Sequence, residues 1–359
     1  MKPLRIAQLV LPWISLPPAK YAGTERIVYN LTEGLVKKGH DVTLFSVGES
    51  KTSAKLEYIF EKSLTLQADV LKTLKSSFNP LMHVANCFEM QDRFDIIHSH
   101  AQFLGLPFAA VSKTPCIHTF HQELTFQNQD EKDLVYRYRK LPFTSISDAQ
   151  RVPDLNFIAT VYNGVDTDLY APLTTPPQRT FLFWAGRVVE KKGPKLAIHV
   201  SKKLGYPLIM AGKITDREYF ETQIKPEIDG KLIRFEGELS DSQMVTYLQN
   251  ARATLFPVTW NEPFGLIPVE SMACGTPVVS FAIGGVKETV PDGGGGFLAD
   301  PIIGFDDILV KTKTLLEMDD ESYHKMCNLA RSHVEDNFGL TKMVDGYESV
   351  YYKQLGISA

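Results

Sequence analysis

Short apolar runs alternate with amphipathic stretches along nearly all of the 359-residue chain, and that rhythm leaves few folds open to it. Residues 6–10 are apolar and rich in β-formers, and Ile27, Val28, Leu31 and Leu35 then share one helical face behind Thr24, a candidate cap. Gly39 reads as the residue just past that helix and 42–47 as the next strand, which completes a βαβ unit and therefore a parallel pair. Further strands are expected at 95–99, 115–120, 144–147 and 158–161. The stretch TDLYAPLTTPPQRT, with prolines at 172, 176 and 177, disfavours helix or central strand and reads as a linker. Strands resume at 181–184, 207–211, 232–235, 253–256 and 277–281, and helices are expected over 319–337 and 341–355, the latter striped by Tyr347, Val350, Tyr351 and Leu355. The expected fold is α/β: two doubly wound Rossmann-like domains, 1–168 and 178–338, with a deep cleft between them. A C-terminal helix, 339–359, is expected to pack back on the first domain. Ligand loops in such domains sit at the carboxyl ends of the strands.

Charge excludes one class of partner. The chain has 38 Lys+Arg against 42 Asp+Glu, and neither half has the positive excess that nucleic-acid binding draws on. The apolar run before Pro12 is too short for a spanning helix or a signal core. Cys87, Cys116, Cys274 and Cys327 show no paired spacing, which suits a reducing compartment. A cytoplasmic protein is expected, with peripheral contact at the inner membrane surface left open, since no long basic amphipathic helix demands it.

Chemistry concentrates in FPVTWNEPFGLIPVESMACGTPVV. Glu262 and Glu270 lie eight residues apart there, around a glycine-bearing turn and a helix start. With the helix beginning near Pro263, the amides of Gly265, Leu266 and Ile267 would point from its positive end, a place for a diphosphate. Eight helical residues rise about 12 Å, enough for the two carboxylates to grip two rings of one ligand. A second cluster, AGRVVEKKG, sets Arg187 and Lys192 on a loop after a strand. A planar fork and a point charge there could neutralise a diphosphate leaving group. Lys191 reads as merely solvated.

Together these motifs resemble the family 4 glycosyltransferases, which are retaining enzymes of GT-B architecture. YAGTERIVYNL is similar to the family's first loop and helix, KKGHDVTLF to its second strand, and YNGVD to the segment before its linker; GRVVEKKG and the E-x7-E pair follow in the family's order. The resemblance implies a nucleotide-sugar donor, UDP-sugar before GDP-sugar, as co-substrate with no cofactor and no metal. It implies that Glu270 binds the ribose, Glu262 the transferred sugar's hydroxyls, and Arg187 with Lys192 the diphosphate. His121, in IHTFHQE, matches the family's histidine near the transferring carbon. Gly23 would let the first loop approach the phosphate, although AGTE stands where relatives carry paired glycines. Base recognition is expected near Gly212 or Phe235. The acceptor, which could be a glycan, a lipid or a small molecule, is not named by any motif; residues 51–94 are the expected contributors. Oligomeric state is equally open.

Competing readings have their own residues. His98, His100, His118 and His121 superficially offer four metal ligands, but no carboxylate or cysteine stands at matching spacing. His98 reads as core and His100 as a cleft-lining residue. Asp166 and Asp168 form a D-x-D inside a turn, and Gly293 to Gly296 lack the Lys-Ser/Thr of a P-loop. A glycosidase would use Glu262 and Glu270 as its pair but leaves Arg187 and Lys192 unexplained. A sugar-nucleotide epimerase or phosphorylase, or a non-catalytic sugar-nucleotide-binding protein, are the remaining alternatives.

Overall fold

A computed structural model describes residues 2–20, 22–64, 75–124, 129–175 and 177–357. The chain divides into two compact units, Met1–Gly164 with Leu340–Ala359, and Val165–Gly339. The division comes before the proline-bearing segment, because that segment is tied to the second unit. Tyr170 is buried there, its carbonyl accepts from Arg331 at 2.7 Å, and the Ala171 carbonyl accepts from Gln249 at 2.7 Å.

In the first unit the described strands are β1 (Arg5–Leu9), β2 (Asp41–Phe45), β3 (Lys55–Glu57), β4 (Ile96–Ser99), β5 (Cys116–Thr119), β6 (Phe143–Ser145) and β7 (Phe157–Thr160). They form one parallel sheet in the order β3-β2-β1-β4-β5-β6-β7. The helix Gly23–Lys37 buries Ile27, Val28, Leu31 and Leu35. It starts one residue before Thr24, with Ala22 as its N-cap and no side-chain cap bond. At its end Gly39 adopts φ +90° and donates to Val36 O at 2.8 Å, while His40 N donates to Leu35 O at 3.2 Å, closing the last turn as a Schellman motif. The C-terminal helix Leu340–Gln354 belongs to this unit and buries Tyr347, Val350 and Tyr351. Its Glu348 pairs with Lys38 and meets His40 Nε2 at 2.9 Å, fastening the helix beside the end of Gly23–Lys37.

The second unit holds β8 (Leu182–Ala185), β9 (Leu208–Ala211), β10 (Ile233–Phe235), β11 (Ala253–Phe256), β12 (Val278–Phe281) and β13 (Gly296–Ala299), all parallel, in the order β10-β9-β8-β11-β12-β13. Trp184, Met210, Leu255 and Val279 are among its fully buried core residues. Each sheet reverses its winding once, between β1 and β4 and between β8 and β11. At such a switch point the loops leaving the carboxyl ends of the two neighbouring strands part from each other and leave room for a ligand.

Candidate active site

The switch point of the second unit joins the two clusters that stand far apart in sequence. The loop leaving β8 carries Arg187, which is exposed, and Lys192. The loop leaving β11 carries Glu262, and the Lys192 ammonium forms an ion pair with the Glu262 carboxylate. Only 13% of either side chain is exposed, so the pair is largely withdrawn from water. Burial pulls Lys192 below the ordinary lysine pKa; Glu262 opposes this, while Arg187 and Lys191 add to it. The Trp260 ring lies beneath both neighbouring ammoniums, with Lys191 Nζ 4.1 Å and Lys192 Nζ 4.7 Å from its centroid. Lys191 is therefore exposed but held by a cation–π contact rather than merely solvated. Three neighbouring cations, Lys192 with Arg187 and Lys191, share one paired carboxylate and can accept an anion, because an added negative charge would relieve the repulsion among them.

Glycines in the next loop make this geometry possible. Gly285 N donates to Glu262 O at 2.8 Å, and a Cβ at Gly284 would come within 2.5 Å of that same oxygen, while one at Gly285 would come within 2.3 Å of Pro263 O. Only residues without side chains let the loop after β12 support the backbone of residues 262–263 this closely.

The helix following Glu262 spans Leu266–Ala273, three residues later than Pro263, because Gly265 serves as its N-cap at φ +87°. Glu262 is thus a loop residue. The expected helical rise between the two carboxylates does not apply; Glu270 alone is helical, in the second turn, and is fully buried. At the helix start the first-turn amides of Leu266 and Ile267 have no partner within the helix, and Pro268 supplies none. Burial pushes the thiol of nearby Cys274 up to about 12, with the Glu270 charge acting in the same direction.

Of the two positions near which backbone recognition of a base is expected, the Gly212 amide and the Phe235 ring have partners within the protein. Gly212 N donates to Gly237 O at 2.7 Å, and the residue adopts φ +144° where a Cβ would meet Gly186 O at 1.7 Å. The Phe235 ring packs on Phe220 with centroids 5.2 Å apart, at the margin of the core. Gly212 therefore seats the loop that carries Arg187.

In the first unit Gly23 is the first residue of its helix, following the loop from β1. His121 stands two residues past β5, its Nε2 2.9 Å from His100 Nδ1. His100 is buried rather than lining an open face, and its Nε2 lies 3.0 Å from Gln8 Oε1. Gln8 Nε2 reaches Tyr351 Oη at 2.9 Å, and Tyr351 Oη reaches His98 Nδ1 at 2.7 Å. His98 Nε2 lies 2.7 Å from Thr119 Oγ1. Burial lowers His121 to about 4 and His118 to about 3, and drives His98 and His100 well below the ordinary histidine value. His98, His100 and His121 belong to one neutral hydrogen-bonded chain, whereas the His118 ring stands apart beside Cys116, and among the described residues no three His, Cys, Asp or Glu side chains are grouped to hold a metal ion. Gln8 and Tyr351 were not singled out in the sequence, where one reads as a polar strand residue and the other as part of an apolar stripe.

The remaining motifs are local. Asp166 Oδ1 accepts from the amides of Asp168 at 3.0 Å and Leu169 at 3.1 Å, an Asx turn. Gly293 N donates to Gly296 O at 2.8 Å in the turn that opens β13. Of segment 51–94, residues 65–74 lie outside the described residues. Among the described residues no helix is long and apolar enough to cross a membrane.

Two parallel α/β units with their loops so arranged define the GT-B class, and solved structures of that class match along nearly the whole chain. Sucrose-phosphate synthase from Thermosynechococcus elongatus aligns with a TM-score of 0.81 and 17% identity over 99% of this chain and 100% of its own. The Anabaena HepE protein, in complex with UDP-glucose, aligns with a TM-score of 0.73 and 18% identity over 98% and 100%. Residues 167–333 match the family described as Glycosyl transferases group 1, and residues 21–169 match Glycosyltransferase Family 4. The chain belongs to family 4 of the glycosyltransferases. Among curated relatives, the D-inositol 3-phosphate glycosyltransferase of Mycolicibacterium smegmatis is 27% identical over 251 residues, 58% of this chain and 56% of that protein, so the match spans little more than half the relative's length.

Proposed function

We propose that this chain is a retaining, metal-independent glycosyltransferase that moves a sugar from a nucleotide-sugar donor, a UDP-sugar before a GDP-sugar, to a hydroxyl-bearing acceptor. The observation that carries the reading is the buried Lys192–Glu262 pair beside exposed Arg187 at the switch point of the second unit. In this reading Arg187 and Lys192 hold the diphosphate and stabilise the charge that grows on it as the glycosidic bond breaks. The amides of Leu266 and Ile267 add dipoles of the right sign, with Gly265 as the hinge residue of that turn. Glu262, released from Lys192 as the diphosphate takes its place, accepts hydrogen bonds from the sugar hydroxyls. Glu270 binds the ribose, and Gly23 contributes backbone to phosphate binding. His121 binds the sugar near the reacting carbon, and a donor phosphate oxygen takes the acceptor's proton on the face from which the nucleotide departs.

The test begins with thermal shift against UDP, GDP, ADP and their glucose, N-acetylglucosamine and mannose conjugates, with and without EDTA, since a ligand of the native state raises its melting temperature. Selective stabilisation by one nucleotide, unchanged by EDTA, followed by release of that nucleoside diphosphate and an axial product anomer by NMR, is the expected result. No stabilisation by any of them would overturn the donor assignment; EDTA-sensitive turnover would overturn metal independence.

A further inference from the structure

The hydrogen-bond chain in the first unit has a definite direction, set by an atom that can only accept. Thr144 Oγ1 lies 3.3 Å from the main-chain oxygen of His118, and directing the single Thr144 hydroxyl proton there, rather than at Thr119, gives the chain its largest number of hydrogen bonds. In the contact between Thr119 and Thr144 the donor must then be Thr119. With its own proton committed, Thr119 Oγ1 accepts from His98 Nε2 and from Tyr347 Oη at 3.3 Å. A neutral His98 protonated on Nε2 accepts on Nδ1 from Tyr351, and the Tyr351 oxygen in turn accepts from Gln8 Nε2. Gln8 therefore presents its carbonyl to His100, which must carry its proton on Nε2 and accept on Nδ1 from His121 Nε2. Turning the Gln8 amide over would reverse every bond and leave the His118 carbonyl without the Thr144 proton, one hydrogen bond fewer. Gln8, His98, His100, Thr119, Thr144 and Tyr351 are all buried, so no water competes for these positions and each bond polarises the next.

We infer that this chain fixes the proton of neutral His121 on Nε2 and so presents Nδ1 as a hydrogen-bond acceptor for a ligand hydroxyl, making Gln8 and Tyr351 positioning residues for the site. His121 Nδ1 is buried and has no partner among the described residues. A buried acceptor left unmade costs free energy that a hydroxyl donor would recover. This tautomer suits a sugar hydroxyl, which can donate, and is wrong for a phosphate oxygen, which cannot. The inference rests on the proposed function only for the identity of that hydroxyl as one on the donor sugar.

The experiment is a long-range proton–nitrogen correlation spectrum of the ligand-free, histidine-labelled full chain near neutral pH, with His121 assigned by its loss in His121→Ala. Wild type is expected to show His121 protonated on Nε2 alone. Gln8→Leu removes the acceptor for His100 and is expected to give mixed tautomers at His121. Gln8→Glu, which as a carboxylate can only accept, is expected to restore the wild-type pattern. In turnover, Gln8→Leu is expected to lower kcat/KM about tenfold, the equivalent of one lost hydrogen bond to the donor sugar. A wild-type His121 protonated on Nδ1, or an unaltered His121 spectrum in Gln8→Leu, overturns the inference. Because the spectrum needs no donor, it stands or falls separately from the glycosyl-transfer reading, and the wild-type spectrum decides even if a variant does not fold.

Discussion

Replacing Glu262 with Gln tests the central pair directly. Gln keeps the shape and one acceptor but removes the charge, leaving the Lys192 side chain, 13% exposed in the native protein, with only the cations Arg187 and Lys191 as charged neighbours. Breaking one partner out of a buried pair costs about 3–5 kcal/mol, chiefly because the remaining charge is uncompensated. For a unit the size of Val165–Gly339, about 2–4 °C is lost per kcal/mol, so its calorimetric transition should fall by about 6–20 °C. Lys192→Met should cost a similar amount, whereas the double variant removes both charges and should lie closer to wild type than either single one. The quantity to measure is the coupling in that double-mutant cycle, from scanning calorimetry at moderate salt. Pyrophosphate should stabilise Glu262→Gln more than the double variant, since its charge would stand in for the carboxylate beside Lys192. Additive single effects, with a coupling under about 0.5 kcal/mol, would refute the claim that the two groups compensate each other.

Three further outcomes are expected. Glu270→Gln should weaken nucleotide binding by about tenfold to a hundredfold, the cost of losing charged hydrogen bonds, in isothermal calorimetry; an unchanged Kd would remove Glu270 from the donor site. His121→Ala should lower kcat about a hundredfold while weakening donor Kd by no more than the roughly tenfold of one hydrogen bond, and a loss of binding as large as the loss of kcat would make it a donor-affinity residue. The first unit should lose stability as the medium acidifies: burial holds His83 and His121 near about 4 and His118 near about 3, so an unfolded chain takes up protons below the ordinary histidine value of 6.5 while the folded one resists until those lower values. Its stability is therefore complete above about pH 6.5 and declines steadily below it, and equal urea midpoints at about pH 7.5 and about pH 5 would contradict the burial of these rings.

The parts of this structure that are legible in one sequence are those whose cause is local. Apolar runs such as 253–256 had to be strands, and the stripe of Tyr347, Val350 and Tyr351 had to be one face of a helix, because the periodicity of each reports its own burial. The two edge strands beyond that reasoning are β3, which reads Lys-Leu-Glu, and β13, which opens on the last glycine of a turn; each is held in place by a neighbour rather than by its own composition. The start of the helix Leu266–Ala273 was displaced for a related reason. Pro263 is well suited to a first helical turn, but the left-handed conformation at Gly265 defers the helix until the loop has crossed to Lys192 and received support from Gly284 and Gly285. What the motifs conveyed was which groups matter, not how they are joined. Glu262 and Lys192 were assigned to different parts of a ligand, and they meet each other because the strand order β8-β11 makes their loops adjacent. The same holds for the histidines. Their spacing marks them only as neighbours on two strands, while the partners that decide their protonation, Gln8 on β1 and Tyr351 on the last helix, are 343 residues apart and join only when that helix closes over the first sheet. A sequence pattern records which face of an element is buried; it does not record which polar atom on that face will find which other, and it is that pairing that determines whether His121 offers a proton or a lone pair.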